Sequence, residues 1–376
     1  MSKDLKDVIL NDLETLSQMS VKEYTLFRGW DQIHNTQWST QDLQRIWEIK
    51  NSIWKPKSPD DYLNLQPQII QATNPNTTLK TWRLLRTFSH TAHWNQSPGR
   101  LIRYYVINKP DKKYLGIISL GSDFMLLGPR DNYIKWTKDH KTKNKRLNYC
   151  AMGSSIAPTQ PLGFNYVGGK LMALLTCSDS VVDAWDKLYN KETLAGITTT
   201  SLYGTFSQYT RLNYWRKCGK TLGTLTLEPS DATFKLIKDY INQHYKDEFQ
   251  VILDDVKAKT KSGILSHPKT RMLQFLYTKL GIGRLPTNNA PRGVYWCALY
   301  DNTNEFLRCE TDELGNKKFD NSVETLTELW KEKYAAKRLK NLMENNKYNK
   351  DTLFYDDMIK LDWEQSKKKY LQDVGR

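Results

Sequence analysis

The chain has 376 residues, with 56 Lys and Arg against 41 Asp and Glu, giving a formal net charge of +15. A mean hydropathy of −0.67 and the lack of any long apolar run exclude a membrane-spanning helix. Five scattered cysteines, none in a Cys-x-x-Cys pair, point to reduced structural thiols rather than a disulfide frame or a zinc site. The start, Met1–Ser2–Lys3–Asp4–Leu5, carries no apolar leader, so a cytoplasmic location is expected.

Residues 1–75 read as a helical region. Ile9, Leu13 and Leu16 recur at helical spacing, and Ser39–Thr40–Gln41–Asp42 resembles a helix start before Leu43, Ile46 and Trp47. Trp30, Trp38, Trp47 and Trp54 are expected to be mostly packing residues. The polar stretch 66–78, with Pro67 and Pro75, reads as a loop. Leu79 to Trp94 is a basic, aromatic helical segment. Its two histidines, His90 and His93, have no evident carboxylate or cysteine partner, so no metal site is expected. Leu101–Asn108 and Tyr114–Ser122 read as antiparallel strands joined by a turn at Asn108–Lys109–Pro110–Asp111. Arg130–Asp131 follows the second of them. Arg130 could hold phosphate and Asp131 act as a base, or the pair could be a structural loop contact.

From Leu147 to Leu227 the pattern is strand, glycine turn, helix, strand, helix, strand. Leu147–Pro158 is extended, and Gly168–Gly169–Lys170 opens an apolar helix at Leu171–Leu175. Such an entry leaves backbone N–H groups free at the positive end of a helix dipole, a ready anion site. Equally, the glycines could serve only close packing. Leu194–Ser201 is β-branched and strand-like, so the two strands should be parallel neighbours joined by a crossover. Gln208–Cys218 has Tyr209, Leu212 and Trp215 at helical spacing and is closed by Gly219. Leu222–Leu227 reads as a strand expected to pair antiparallel with Gly293–Tyr300, with Asp231–Leu285 inserted as helices. From Val323 onward both charge signs alternate, which reads as a solvated helical tail.

Charge is segregated. The stretches 62–110, 140–178 and 193–227 contain no Asp or Glu, yet together hold fifteen basic residues. That distribution predicts one positive face and a nucleic-acid partner. Arg100, Arg103, Arg130, Arg211, Arg216, Lys217 and Lys220 are the candidate DNA contacts, with Tyr203 and Tyr209 available to stack on an extruded base.

The strings His93–Trp94, Gly99–Tyr104, Gly116–Ser122 and Arg130–Asp131 resemble the DruA-like family of anti-phage defence proteins, which has relatives in phage genomes. Gly168–Leu171, Thr199–Gly204 and Arg292–Tyr295 are similar to its phage branch. The order of elements also resembles the GNAT acyltransferases, which bind the pyrophosphate of coenzyme A at a loop after a strand and protonate the departing thiolate with a later tyrosine. That resemblance implies Gly168, Gly169 and Lys170 as the site for coenzyme A or an acyl-coenzyme A, and Tyr214 as the acid. The Gln/Arg-x-x-Gly-x-Gly pattern of that superfamily is absent, and Trp215 holds the place of its tyrosine. Phage Mom-type DNA-modification proteins, divergent members with a His–aromatic pair like His93–Trp94, imply His93 as the base acting on DNA, with Asp131 as the alternative base from its own place in the sequence.

The expectation is therefore an α/β protein with a GNAT-like mixed central sheet. Residues 1–75 form a helical N-terminal region, 76–228 the core, 229–290 a helical insertion, 291–322 a returning strand and 323–376 a helical tail. The expected function is a DNA-binding transferase that modifies a base. The alternative is a non-catalytic DNA-binding defence or counter-defence protein on an enzyme-derived fold.

Overall fold

The computed structural model describes residues 2–89, 99–189, 192–201, 208–259, 268–283, 287–349 and 361–373. Its centre is a seven-stranded sheet. In chain order its strands are β1 (Pro67–Gln71), β2 (Leu101–Asn108), β3 (Tyr114–Ser122), β4 (Cys150–Pro158), β5 (Gly196–Thr200), β6 (Trp215–Lys220) and, after a helical insertion, β9 (Gly293–Ala298). Two short strands, β7 (Thr224–Thr226) and β8 (Thr287–Asn289), pair separately as a ribbon. The spatial order is β1-β2-β3-β4-β5-β9-β6. Every neighbouring pair is antiparallel except β4 and β5, which run parallel.

Alternation assigns the two faces. Ile102, Tyr104 and Val106 of β2 join Ile118, Ile197, Tyr295 and Cys297 in the largest apolar cluster. The helix Gly169–Leu175 lies in that cluster, and Leu171 through Leu175 are all fully buried. A stretch apolar on every side, as Leu171–Leu175 is, must be enclosed. The sheet covers one flank, and the helix Val323–Trp330 covers another, with Trp330 donating its indole N–H to Val167 O at 3.2 Å. The opposite sheet face is covered in two parts. The helices Thr40–Asn51 and Thr78–Leu85 cover the β2–β3 half through Ile46, Ile49, Trp82 and Ile117. Ile134, Trp136 and Phe306 cover Trp296 and Ala298 of β9.

The hairpin β2–β3 has the predicted limits, and β4 and β5 are the predicted parallel neighbours. Four expectations change. The stretch 66–78 is not all loop, because Ile69 and Ile70 carry the edge strand β1, with Pro67 at its first position where no ladder N–H is needed. Gln208–Cys218 is not a helix. Arg211 and Tyr214 have φ of 54° and 68°, which an α-helix does not admit, and the chain enters β6 at Trp215. Consequently β9 pairs antiparallel with β6, while Thr224–Thr226 pairs with Thr287–Asn289 at the neck of the insertion. Finally, the segment after Val323 is not simply solvated, since Leu326, Trp330 and Leu339 are buried core.

The inserted helices Asp231–His244, Lys246–Lys259 and Pro268–Leu280 pack against the first helix of the chain, Ser2–Ser17, through Leu5, Ile9, Leu13, Ile237, Ile241 and Leu273. Among the described residues no helix is long and apolar enough to cross a membrane. At the base of β5 the packing leaves no slack. A Cβ on Gly196 would run into Cη2 of the buried Trp296. Gly196→Ala should therefore lower stability by about 1–3 kcal/mol through overpacking, read as a fall in the urea midpoint with an unchanged slope.

Candidate functional site

The turn between β5 and β6 lies over the start of the helix Gly169–Leu175. Lys170 Nζ donates to the carbonyls of Thr210 at 2.6 Å and Gln208 at 3.3 Å. It also lies 5.1 Å from the Tyr334 ring centroid. Tyr334 holds the same turn from the other side, its hydroxyl accepting from Asn213 N at 2.9 Å, while Lys333 Nζ reaches Asn213 Oδ1 at 2.8 Å. Gln208 bridges to β4, donating from Nε2 to Ile156 O at 2.8 Å. Trp215 closes the turn by donating its indole N–H to Ala173 O at 3.1 Å. Burial lowers the Lys170 ammonium to about 8.

These contacts decide how the glycine turn works. A Cβ on Gly168 would meet Leu162 Cγ at 2.5 Å, and one on Gly169 would meet Gln208 Oε1 at 2.9 Å. The glycines admit protein neighbours, and the ammonium beside them is engaged by carbonyls. In this arrangement Gly168, Gly169 and Lys170 do not form a pyrophosphate cradle, so coenzyme A does not fit here. Tyr214 lies nearby, its ring stacked on Phe319 at 3.7 Å between centroids and 8° between planes. Burial raises its phenol.

Next to this turn is a surface recess of about 470 Å³ lined by Arg211, Leu212, Asn213, Tyr214, Trp215, Arg216 and Lys217. None of these lining residues is a carboxylate, though Asp320 acts on the Tyr214 phenol. Arg211, Arg216, Lys217 and, further along β6, Lys220 are exposed, and none forms an ion pair with another described residue. Among the described residues strand β6 is the sheet edge, so these cations line its rim.

The other predicted contacts divide differently. Arg130 is fully buried, so it is not a DNA contact. Its Nη1 pairs with Asp123 Oδ1 at 2.6 Å, and its Nη2 with Asp131 Oδ1 at 2.8 Å. Burial pushes the Asp123 carboxyl up, while Arg130, the Thr198 hydroxyl at 2.8 Å and the Phe124 N–H at 2.7 Å oppose that shift. Asp131 is also paired with Lys141 at 2.5 Å and accepts from Leu127 N at 3.0 Å. The structural reading of the Arg–Asp pair is the one the geometry shows. Asp131 sits in the helix Gly128–Ile134 across one sheet face, and Tyr214 packs with the cluster of the other, so the two are not brought together.

Arg100 donates to Asn148 O at 2.7 Å and lies 5.1 Å from the Trp185 ring, and Arg103 lies 5.1 Å from the Trp82 ring. Arg103 on β2 and Arg216 on β6 are five strand intervals apart, roughly 24 Å. The basic stretches therefore share one sheet, but their cations do not gather in one patch. Tyr209 is buried against Trp215 and Tyr295 rather than free to stack on a base. His93 and Tyr203 lie outside the described residues. Sequence reasoning missed Asp123, Lys141, Gln208 and Tyr334. Only Asp123, a lone acid after an apolar strand, carried a signal.

The family model described as Druantia protein DruA matches residues 22–309. The chain belongs to the DruA family. A Druantia protein DruA of Escherichia coli (strain UMEA 4076-1) is 30% identical over 159 residues. That alignment spans 38% of this chain and 39% of the relative, well under half of either. No solved structure matches. The family match covers both the buried Asp123–Arg130–Asp131 network and the β6 rim of this DruA-family chain.

Two measurements check these roles. Arg130→Met leaves Asp123 buried without its cation and should cost roughly 3–5 kcal/mol of stability, seen in thermal unfolding. For Lys170 the folded value of about 8 lies below the reference 10.5. The unfolded chain then binds more protons between those values, so this group's contribution to stability rises with pH across that window and is lost as pH falls. The stability of wild type relative to Lys170→Met should accordingly increase from near pH 8 to near pH 10.

Proposed function

We propose that this chain is a DNA-binding member of its defence family, and that it meets DNA along the β6 edge. The observation that carries the reading is the recess and rim of Arg211, Arg216, Lys217 and Lys220, exposed and unpaired among the described residues. Cations held at a sheet edge and not spent on internal ion pairs suit phosphate backbones, and they give affinity without sequence preference. The family's anti-phage role, implied by the sequence resemblance, makes DNA in the infected cell a natural target.

The mixed sheet, with one parallel junction and a glycine-led helix after β4, supports a GNAT-like scaffold. Acyl transfer on it would further require Lys170 and Gln208 to leave their present partners. The binding role is therefore the stronger reading. Nucleoside mass spectrometry on DNA from cells expressing the protein separates the two, because a new modified base would establish transfer.

DNA affinity should fall steeply with salt. Replacing Arg211, Arg216, Lys217 and Lys220 with Ala should weaken binding to all sequences alike. It should also flatten the slope of log K against log salt by up to about 3.6, near 0.9 for each phosphate no longer neutralised. Fluorescence anisotropy across a salt series measures both, and an unchanged slope would overturn the reading.

A further inference from the structure

Residues 124–126 expose three consecutive apolar side chains. Phe124 is 52% exposed, Met125 41% and Leu126 74%, with Tyr133 nearby in sequence at 43%. Scattered single exposures are ordinary, but a contiguous apolar tip costs solvation and marks a contact surface.

This tip is held rigid from beneath. Phe124 N donates to Asp123 Oδ1 at 2.7 Å, and Phe124 O accepts from Arg130 Nη2 at 2.7 Å. Met125 O accepts from Lys141 Nζ at 3.0 Å, and Leu127 N donates to Asp131 Oδ2 at 3.0 Å. Four charged side chains, of which Asp123, Arg130 and Lys141 are buried, thus hold the backbone on both sides of the tip. A buried ionic network is costly to assemble. Here its hydrogen bonds are directed at the loop, and they leave the side chains of Phe124, Met125 and Leu126 facing water.

The chain that follows is rich in lysine, with Glu310 facing Lys135. Lys135, Lys138, Lys143 and Lys145 are exposed along the chain that follows, and Lys141 ties that segment to Met125. Asp139 is matched by Lys143 at 2.9 Å. On the other flank, Pro129 lies against Gly219 of β6, where a Cβ would stand 3.3 Å from Pro129 Cβ, which places the tip's own helix beside the rim already described.

We propose that Phe124–Met125–Leu126 is a wedge that enters duplex DNA between base steps, with the flanking lysines on the phosphates. Proteins that kink DNA use side chains of this type, and they recover the cost of unstacking through the wider interface that a bent duplex permits. A narrow, fixed tip between cations suits a base-step opening better than a broad lipid surface, which an amphipathic helix face would serve. The inference rests on the DNA-binding reading and adds a deformation to it, one that pyrimidine–purine steps should accept most easily.

The test uses the full-length protein and a mixed-sequence duplex carrying a fluorophore at each end. Wild type should shorten the end-to-end distance in energy transfer. The triple variant F124S/M125S/L126S should not, and its affinity should fall roughly tenfold because the apolar surface that leaves water on binding is removed. Its salt slope should stay at the wild-type value, because every phosphate-binding cation is retained. Leu126→Ser, at the most exposed position, repeats the test if the triple variant unfolds. Bending equal to wild type in these variants overturns the wedge. Binding by wild type without bending also overturns it and leaves the DNA reading intact, whereas no binding by wild type overturns both. If the substitutions abolish association with phosphatidylglycerol vesicles or self-association while DNA bending persists, the tip serves a lipid surface or a second copy instead, and the wedge is wrong.

Discussion

Because β4 and β5 run parallel, the chain between them has to cross from one end of the sheet to the other. It makes that crossing partly as Gly169–Leu175, a helix whose one charged side chain, Lys170, is turned to protein carbonyls. Its enclosure recruits the rest of the molecule. The helix Val323–Trp330 has to fold back over it, and Trp330 and Trp215 each bond a carbonyl of this crossover, at Val167 and Ala173. The β5–β6 turn is then fixed over the helix start by Lys170 and Tyr334. The position of the cationic rim is a consequence of burying one apolar helix.

Buried charge plays a second, separate part. Arg130 and the aspartates around it sit on the opposite sheet face, and their donors and acceptors are directed at the backbone of the following loop. Arg100 and Arg103 likewise lie on aromatic rings. Arg100, Arg103, Lys141, Arg146 and Lys170 of the carboxylate-free stretches are thus engaged internally, while Arg83, Lys109 and Lys145 are exposed as well as the cations of the β6 edge. Net charge alone did not distinguish these two uses.

What the sequence made legible follows from locality. The hairpin β2–β3 was readable because its alternation and its Asn–Lys–Pro–Asp turn are contained in twenty-odd residues. The parallel pair was readable from the helical length between the extended Leu147–Pro158 and the β-branched Leu194–Ser201. Strand β6 was not, because Tyr209, Leu212 and Trp215 mimic a helical stripe, while left-handed residues at Arg211 and Tyr214 break it without glycine at either position. The C-terminal helices were misread for a related reason. Charges on the outer face of Val323–Trp330 masked a buried inner face whose partner lies some 150 residues earlier. Arg130 could not be recognised as buried, because its neutralising partner Asp123 lies seven positions upstream across a loop. Gln208 could not be placed over Gly169 without knowing where the turn runs.

The insertion has a consequence for biosynthesis. Arg28 pairs with Asp231, and Tyr24 with the backbone of Glu228, across more than 200 residues, while Ile9 and Leu13 share an apolar cluster with Ile237 and Leu273. The N-terminal helices therefore leave the ribosome long before their partners exist. At about 5–20 residues per second, translation of the intervening chain takes roughly 10–40 s. Throughout that interval the apolar face of Ser2–Ser17 lacks its native cover, which arrives only when Asp231–His244 emerges.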